Sequence, residues 1–117
     1  MTIHERVILD VTLIHIRGRI TLTEGADLLR ERLQQLASEG RTKLVIDFQD
    51  VPYVDSTALG VLVRAYTTIA RTGGALKLLH ARGHVRQLLE ITKLLQVFET
   101  FDSDAQAVAS FATAVNR

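Results

Sequence analysis

Apolar and polar residues alternate on both sides of Asp10 in the way that strands do. The pattern predicts two antiparallel strands, over residues 3–9 and 11–17, joined by a tight turn near Asp10. The continuous apolar run at residues 7–9 leaves the register of the pair open, because strict alternation is what assigns each side chain to one face of a sheet.

A helical period follows the predicted hairpin. Thr21 and Glu24 are three residues apart, the spacing of a capping box, in which each side chain bonds the backbone N–H of the other residue. Behind them, apolar residues recur at intervals of three and four as far as Gly40. This predicts a helix over about residues 23–39 with Thr21 as its N-cap. The next apolar run, residues 44–48, is short and continuous, as in a strand buried on both faces.

The second half of the chain continues the alternation of helix and strand. The apolar stretch from Thr57 to Arg71 is too long for a strand and predicts a buried helix, which Gly73 and Gly74 end. We expect a strand at residues 76–79, a helix at 85–95, a short strand at 97–101 and a terminal helix at 104–115. The order ββαβαβαβα predicts an α/β fold, a mixed five-stranded sheet with about four helices, in a single domain over residues 1–117.

Composition indicates a core of aliphatic side chains. Of the 117 residues, 47% are hydrophobic but only 5% are aromatic, and there is no Trp. A chain of this length buries roughly two-thirds of its unfolded surface, enough for a core without disulfides. The residues that we expect to share this core are Leu33, Ile46, Leu62, Leu78 and Leu89.

Charge and cysteine content exclude several classes of function. The chain has 14 Lys and Arg against 13 Asp and Glu, and a net charge of +1 leaves no electrostatic footprint for nucleic acid. The absence of Cys excludes disulfides and thiolate chemistry. The sequence has neither a run of about 20 apolar residues nor the apolar region of a secretory leader. We therefore expect a cytoplasmic protein without membrane insertion.

No residue pattern predicts a catalytic residue, a metal site or a bound cofactor. His80 and His84 are four residues apart, but a strand end and a helix start separate them and no third ligand accompanies them. Ser56 lacks the glycines of a nucleophile elbow. The glycines of the chain form neither a dinucleotide-binding nor a Walker A pattern. A small hydrolase that uses Ser56 and a histidine remains an alternative.

The segment 53–60 places short polar residues directly before an apolar helix. In one interpretation, Asp55 or Ser56 is only the helix N-cap, which contributes about 1 kcal/mol to stability. In the other, Ser56 presents an exposed hydroxyl at a helix N-terminus, where unpaired N–H groups and the helix dipole stabilise a phosphate. Phosphorylation would then add about −1.5 to −2 charge at one point on the surface.

Residues 44–48 and 54–62 together resemble the signature of STAS domains. They are similar in particular to the stand-alone anti-sigma factor antagonists of bacteria, in which Asp-Ser-Ser/Thr-Gly-Leu-Gly follows a short strand and loop. The likeness covers residues 3–115 and includes the pair Gly73–Gly74 before the fourth strand. The resemblance implies a STAS-like fold with the element order given above.

This resemblance also implies a phosphorylation switch. Ser56 is the expected site and Thr57 the second candidate. The implied partner is an anti-sigma factor that is also a serine/threonine kinase, which the unphosphorylated antagonist binds so that the sigma factor is released. A phosphatase then acts on the phosphorylated form. The residues expected to contact the partner are Thr21, Asp55, Ser56, Thr57, Ala58, Leu59 and Gly60.

Two positions depart from the family pattern. Ala58 stands where the family usually has Gly, and we expect its methyl group to lie beside the partner surface. Thr21 stands where many members have an acidic residue. The departures leave open a STAS domain that does not switch, as a scaffold in a stress-sensing assembly or as a subunit of a lipid-transport system.

Overall fold

Strands and helices alternate along the chain in the predicted order ββαβαβαβα. The structure, a computed structural model, describes residues 1–112. The strands of this part are β1 (Thr2–Ile8), β2 (Val11–Arg17), β3 (Lys43–Asp50), β4 (Ala75–Leu79) and β5 (Thr100–Phe101). Its helices are α1 (Ala26–Ser38), α2 (Ser56–Arg71), α3 (Gly83–Ile91) and α4 (Asp104–Ala112), with a 3₁₀ turn at Leu94–Gln96.

The strands form one mixed sheet in the order β1-β2-β3-β4-β5. The predicted hairpin is confirmed: β1 and β2 are antiparallel, and Ile8 pairs with Val11 across the turn at Leu9 and Asp10. The other neighbouring strands are parallel. Because parallel strands end at the same edge of a sheet, the loops that follow β2 and β3 leave the sheet side by side.

Strand β3 is buried on both faces, as its continuous apolar run predicts. Leu44, Ile46 and Phe48 belong to the main core, which α1, α2 and α3 cover, whereas Val45 belongs to a smaller cluster beneath α4. The predicted core is confirmed, because each of its residues lies in the main cluster and is at most 2% exposed: Leu33, Ile46, Leu62, Leu78 and Leu89.

A buried lysine fixes α4 to its face of the sheet. Lys77 on β4 donates to the hydroxyl of Ser110 over 2.9 Å and forms an ion pair with Glu99 at 3.3 Å. Its ammonium group also lies 4.3 Å from the ring centroid of Phe111. These partners compensate the charge of a residue that is only 8% exposed.

The start of α1 differs from the prediction. The helix begins at Ala26 rather than at residue 23, and Thr21 is not its N-cap. Instead, the backbones of Thr21 and Glu24 exchange two hydrogen bonds, of 2.7 and 3.1 Å, in a tight turn. Gly25, at a φ of 92°, then leads into the helix. The carboxylate of Glu24 accepts a hydrogen bond from Arg19, so the capping box does not form.

The other boundaries move by a few residues. Strand β3 continues to Asp50, and α3 ends at Ile91 rather than near residue 95. Lys93 adopts a left-handed φ of 65°, which interrupts the helical repeat there. The expected continuation of α4 to Val115 lies outside the described residues. Within residues 1–112, no helix is both long enough and apolar enough to cross a membrane.

Candidate functional site

Two loops run together beyond the ends of β2 and β3. The N–H of Gly18 donates to the carbonyl of Asp50 over 3.0 Å, and the N–H of Ile20 donates to the carbonyl of Tyr53 over 3.1 Å. Ile20 also forms a parallel bridge with Val54. The β2–α1 loop therefore accompanies the β3–α2 loop up to the first residue of α2.

Asp55 is the N-cap of α2, which decides between the two capping residues that the sequence left open. Its backbone is extended, and its Oδ1 accepts a hydrogen bond from the N–H of Ala58 over 3.0 Å. Its Oδ2 accepts a second one, from the N–H of Leu22, over 2.9 Å. One carboxylate thus caps the helix and holds the β2–α1 loop against it.

The same hydrogen bonds determine the ionisation of Asp55. Partial burial alone would raise the pKa of this carboxyl, but the N–H groups of Ala58, Leu22 and Thr57 outweigh burial and hold the pKa below its usual value. The carboxylate is therefore charged at neutral pH and keeps both hydrogen bonds. Its contribution to stability is lost only as the pH falls through that lowered pKa.

Ser56 is the first residue of α2, and its side chain is exposed. Among the described residues its hydroxyl has no hydrogen-bond partner. The position of Ser56, solvent-accessible at the start of a helix that follows β3, is as predicted. Thr57 is half-buried. The hydroxyl of Ser56 is the more accessible of the two to another protein.

Few charged residues lie near Ser56 in the sequence. Asp55 is the one charged residue in the sequence from 51 to 63, and no Lys or Arg occurs between 44 and 63. A phosphate on Ser56 would lie beside the carboxylate of Asp55 and at the positive end of the α2 dipole. No basic residue close in sequence would neutralise the added charge.

Two of the expected partner-contact residues point into the core. Ala58 is 0% exposed and Leu59 is 6% exposed, and both belong to the main core. The expectation that the methyl group of Ala58 lies beside the partner surface is wrong, because this methyl group is packed inside the protein. Gly60, one helical turn after Ser56, is exposed, and a Cβ atom built there would meet no atom within 4 Å.

Thr21 lies at the same edge of the sheet as Asp55 and Ser56. It is half-buried and belongs to the tight turn in which Leu22 donates its N–H to Asp55. Thr21 is therefore next in sequence to a residue that contacts the cap of α2.

Sequence reasoning missed two exposed apolar residues in these loops. Leu22 is 67% exposed and Tyr53 is 42% exposed. The ring of Tyr53 stacks on His84 with the centroids 4.5 Å apart, and His84 Nε2 lies 3.1 Å from the carbonyl of Val54. Leu22 is an apolar residue between two threonines, a pattern that can indicate an exposed apolar side chain in a turn. The capping-box interpretation placed this residue at the start of a helix instead.

The two histidines considered as metal ligands have separate partners. His80 lies 2.9 Å from Arg82 and 3.5 Å from Asp104, whereas His84 contacts Tyr53 and Val54. In the described part of the chain, no three side chains of the types that bind metals are grouped to hold an ion.

Comparison with known proteins identifies the family. The model of the STAS domain matches residues 2–107. The chain belongs to the STAS domain family. Among its relatives in this family, the anti-sigma-B factor antagonist of Bacillus subtilis (strain 168) is 37% identical over 86 residues, which are 74% of this chain and 77% of that protein.

Solved structures of STAS proteins share the whole architecture. The crystal structure of TM1081 from Thermotoga maritima has a TM-score of 0.87 at 23% identity and covers 92% of each chain. The Bacillus cell fate determinant SpoIIAA, in its phosphorylated form, has a TM-score of 0.75 at 13% identity, with 94% of this chain and 99% of that chain covered. At these identities, both likenesses show the fold.

Proposed function

We propose that this chain is an anti-sigma factor antagonist whose binding to an anti-sigma factor kinase is switched off by phosphorylation of Ser56. The unphosphorylated form binds the kinase and releases the sigma factor, and a phosphatase restores that form. The observation that carries the proposal is the exposed hydroxyl of Ser56 at the first position of α2, which has no hydrogen-bond partner within residues 1–112. Its context is a STAS chain that is 37% identical to an anti-sigma-B factor antagonist.

In this proposal the chain is a regulator rather than an enzyme, and it acts in the cytoplasm, where sigma factors bind RNA polymerase. Ser56 is the substrate of the partner kinase, so the chain itself needs no catalytic group. The phosphorylated form of SpoIIAA supports a phosphorylation cycle in a protein of this fold.

The docking surface consists of the accessible residues around the Ser56 hydroxyl. We define this switch surface as Thr21, Leu22, Tyr53, Ser56 and Gly60. Leu22 and Tyr53 supply apolar area that a partner can bury, and Gly60 leaves room for close approach along α2. A neutral serine hydroxyl within this surface can form a hydrogen bond across the interface.

A phosphate on Ser56 changes the energetics of docking far more than the fold. The N-terminus of α2 favours the anion, so the helix tolerates it. A docked partner, in contrast, would have to bury nearly two negative charges beside Asp55, which costs several kcal/mol unless the partner supplies a cation. A loss of about 3 kcal/mol lowers affinity more than a hundredfold.

Incubation with ATP and candidate anti-sigma factor kinases of the same organism, followed by peptide mass spectrometry, tests the proposal. We expect one phosphate on Ser56, none on the Ser56→Ala variant, and normal modification of the Thr57→Val control. If a kinase that binds this chain places no phosphate on Ser56, the switch is wrong and the chain is a STAS scaffold or subunit that does not switch.

A further inference from the structure

His15 lies between two carboxylates at the point where β2 and β3 separate. Its Nδ1 is 3.0 Å from Oδ2 of Asp47, and its Nε2 is 2.9 Å from Oδ2 of Asp50. The parallel pairing of the two strands is regular up to His15 and Asp47 and shifts register before Arg17 pairs with Asp50. The imidazole therefore spans the end of the regular ladder.

The two distances fit a ring that carries a proton on each nitrogen. An ionised carboxylate only accepts hydrogen bonds, and a neutral imidazole has one N–H group. Hydrogen bonds to two carboxylates therefore require a proton on both ring nitrogens. Asp47 is only 7% exposed, and its other oxygen accepts the N–H of Gln49 over 2.9 Å. The bond to Asp47 raises the pKa of His15 against the effect of partial burial, and Asp50 raises it further.

Other charged groups surround the ring without replacing these partners. A groove of about 200 Å³ beside His15 is lined by charged and titratable residues of β1, and Arg17 of β2 lies 3.9 Å from Asp50. Glu5 points to the opposite face of the sheet, where it forms an ion pair with Arg32 of α1, and Arg6 forms an ion pair with Asp104 of α4. The charged and titratable groups that face His15 are His4 and Arg6 of β1, Arg17 of β2, and Asp47 and Asp50 of β3.

We propose that His15 is a proton-operated clasp: as an imidazolium it holds the ends of β2 and β3 together, and its deprotonation releases Asp50 and loosens the two loops that carry the switch surface. The neutral ring keeps its Nδ1 proton on buried Asp47 and turns a lone pair towards the carboxylate of Asp50. The unprotonated Nε2 of His15 and the carboxylate of Asp50 are then both hydrogen-bond acceptors. They repel each other, so the side chain of Asp50 moves away.

The link to the loops is direct. The carbonyl of Asp50 accepts the N–H of Gly18, and the next bond along the loops joins Ile20 to Tyr53. Because folding raises the pKa of His15, the clasp stabilises the protein below the unfolded-state pKa of histidine and is lost as the pH rises through the folded-state pKa. This inference is independent of whether Ser56 is phosphorylated.

Long-range ¹H–¹⁵N NMR spectra of the histidine side chains test the protonation state. We expect His15 to carry protons on both nitrogens at neutral pH and to lose one at higher pH than in the urea-unfolded chain. Asp50→Asn should move this titration to lower pH, whereas Asp102→Asn, the same charge change at an exposed residue, should not. A singly protonated His15 ring at neutral pH, or a titration unmoved by Asp50→Asn, would overturn the proposal.

Hydrogen exchange tests the mechanical part of the proposal. In His15→Gln, protection of the Gly18 and Ile20 amides should fall by about two- to tenfold, the range that one net hydrogen bond corresponds to. The amide of Leu78, which bonds Glu99 at the other side of the sheet, is the internal control and should keep its protection. Equal losses at all three amides would show general destabilisation and contradict a local clasp, and unchanged protection at Gly18 and Ile20 would also contradict it.

Discussion

Asp55 should contribute more to stability than Ser56, although Ser56 is the residue of functional interest. Asp55→Ala removes the cap bond to Ala58, which contributes about 1 kcal/mol. It also removes the bond to Leu22; a hydrogen bond to a charged group contributes about 1.5–3 kcal/mol when buried, and we reduce this to about 1 kcal/mol because Asp55 is half-exposed. The expected loss is therefore about 2 kcal/mol. Ser56→Ala removes no hydrogen bond to any residue that the structure describes and should cost less than about 0.5 kcal/mol.

Asp55→Asn separates the two bonds. Asparagine caps helices about as well as aspartate, but its amide nitrogen cannot accept the N–H of Leu22, so we expect a loss of about 1 kcal/mol. Urea denaturation monitored by circular dichroism measures all three variants, with the slope m checked for constancy.

The pH dependence supplies a second readout of the same carboxylate. Because the pKa of Asp55 is lowered in the folded state, the stability gap between the wild type and Asp55→Ala should narrow as the pH falls through that pKa. Equal costs for Ser56→Ala and Asp55→Ala would contradict this role of Asp55, as would a stability gap between wild type and Asp55→Ala that does not change on acidification.

Three further predictions concern packing and are measured by the same urea denaturation. Leu62→Ala should cost about 2–5 kcal/mol because Leu62 is 1% exposed in the main core; a smaller loss would contradict its placement. Gly74→Ala should destabilise the protein, because a Cβ atom at residue 74 would collide with the carbonyl of Thr42. Gly60→Ala should stabilise it by about 0.5–1 kcal/mol, because a Cβ atom at residue 60 meets open space. The reverse order of stabilities would be inconsistent with the structure. Lys77→Ala should destabilise by at least about 1 kcal/mol by removing the anchor of α4, and a neutral effect would show that α4 needs no such anchor.

The sequence predicted what depends on runs of apolar residues. The continuous apolar run predicted that β3 is a strand buried on both faces, and the long apolar stretch predicted that α2 is a buried helix. Both elements are present in the structure. The prediction failed at Thr21, because capping-box spacing is also compatible with a tight turn. The left-handed Gly25 follows that turn, and the helix begins at Ala26, three residues later than predicted.

Side-chain direction was predictable for one site residue and not for another. Ala58 lies four residues before Leu62 and eleven before Ile69, so the helical period itself turns its methyl group inward with those buried residues. His15 and Asp47 are 32 residues apart, and their contact follows only from the pairing of β2 with β3. No local pattern carries that information.

The affinity of this chain for its cognate anti-sigma factor kinase, measured by isothermal titration, tests the central claim most directly. The unmodified chain and Ser56→Ala should bind with equal affinity, because a buried hydroxyl or methyl group adds no charge to the interface. The Ser56-phosphorylated chain should bind more than a hundredfold more weakly, and Ser56→Asp should also bind more weakly. Equal affinities for the unmodified and phosphorylated forms would contradict the switch.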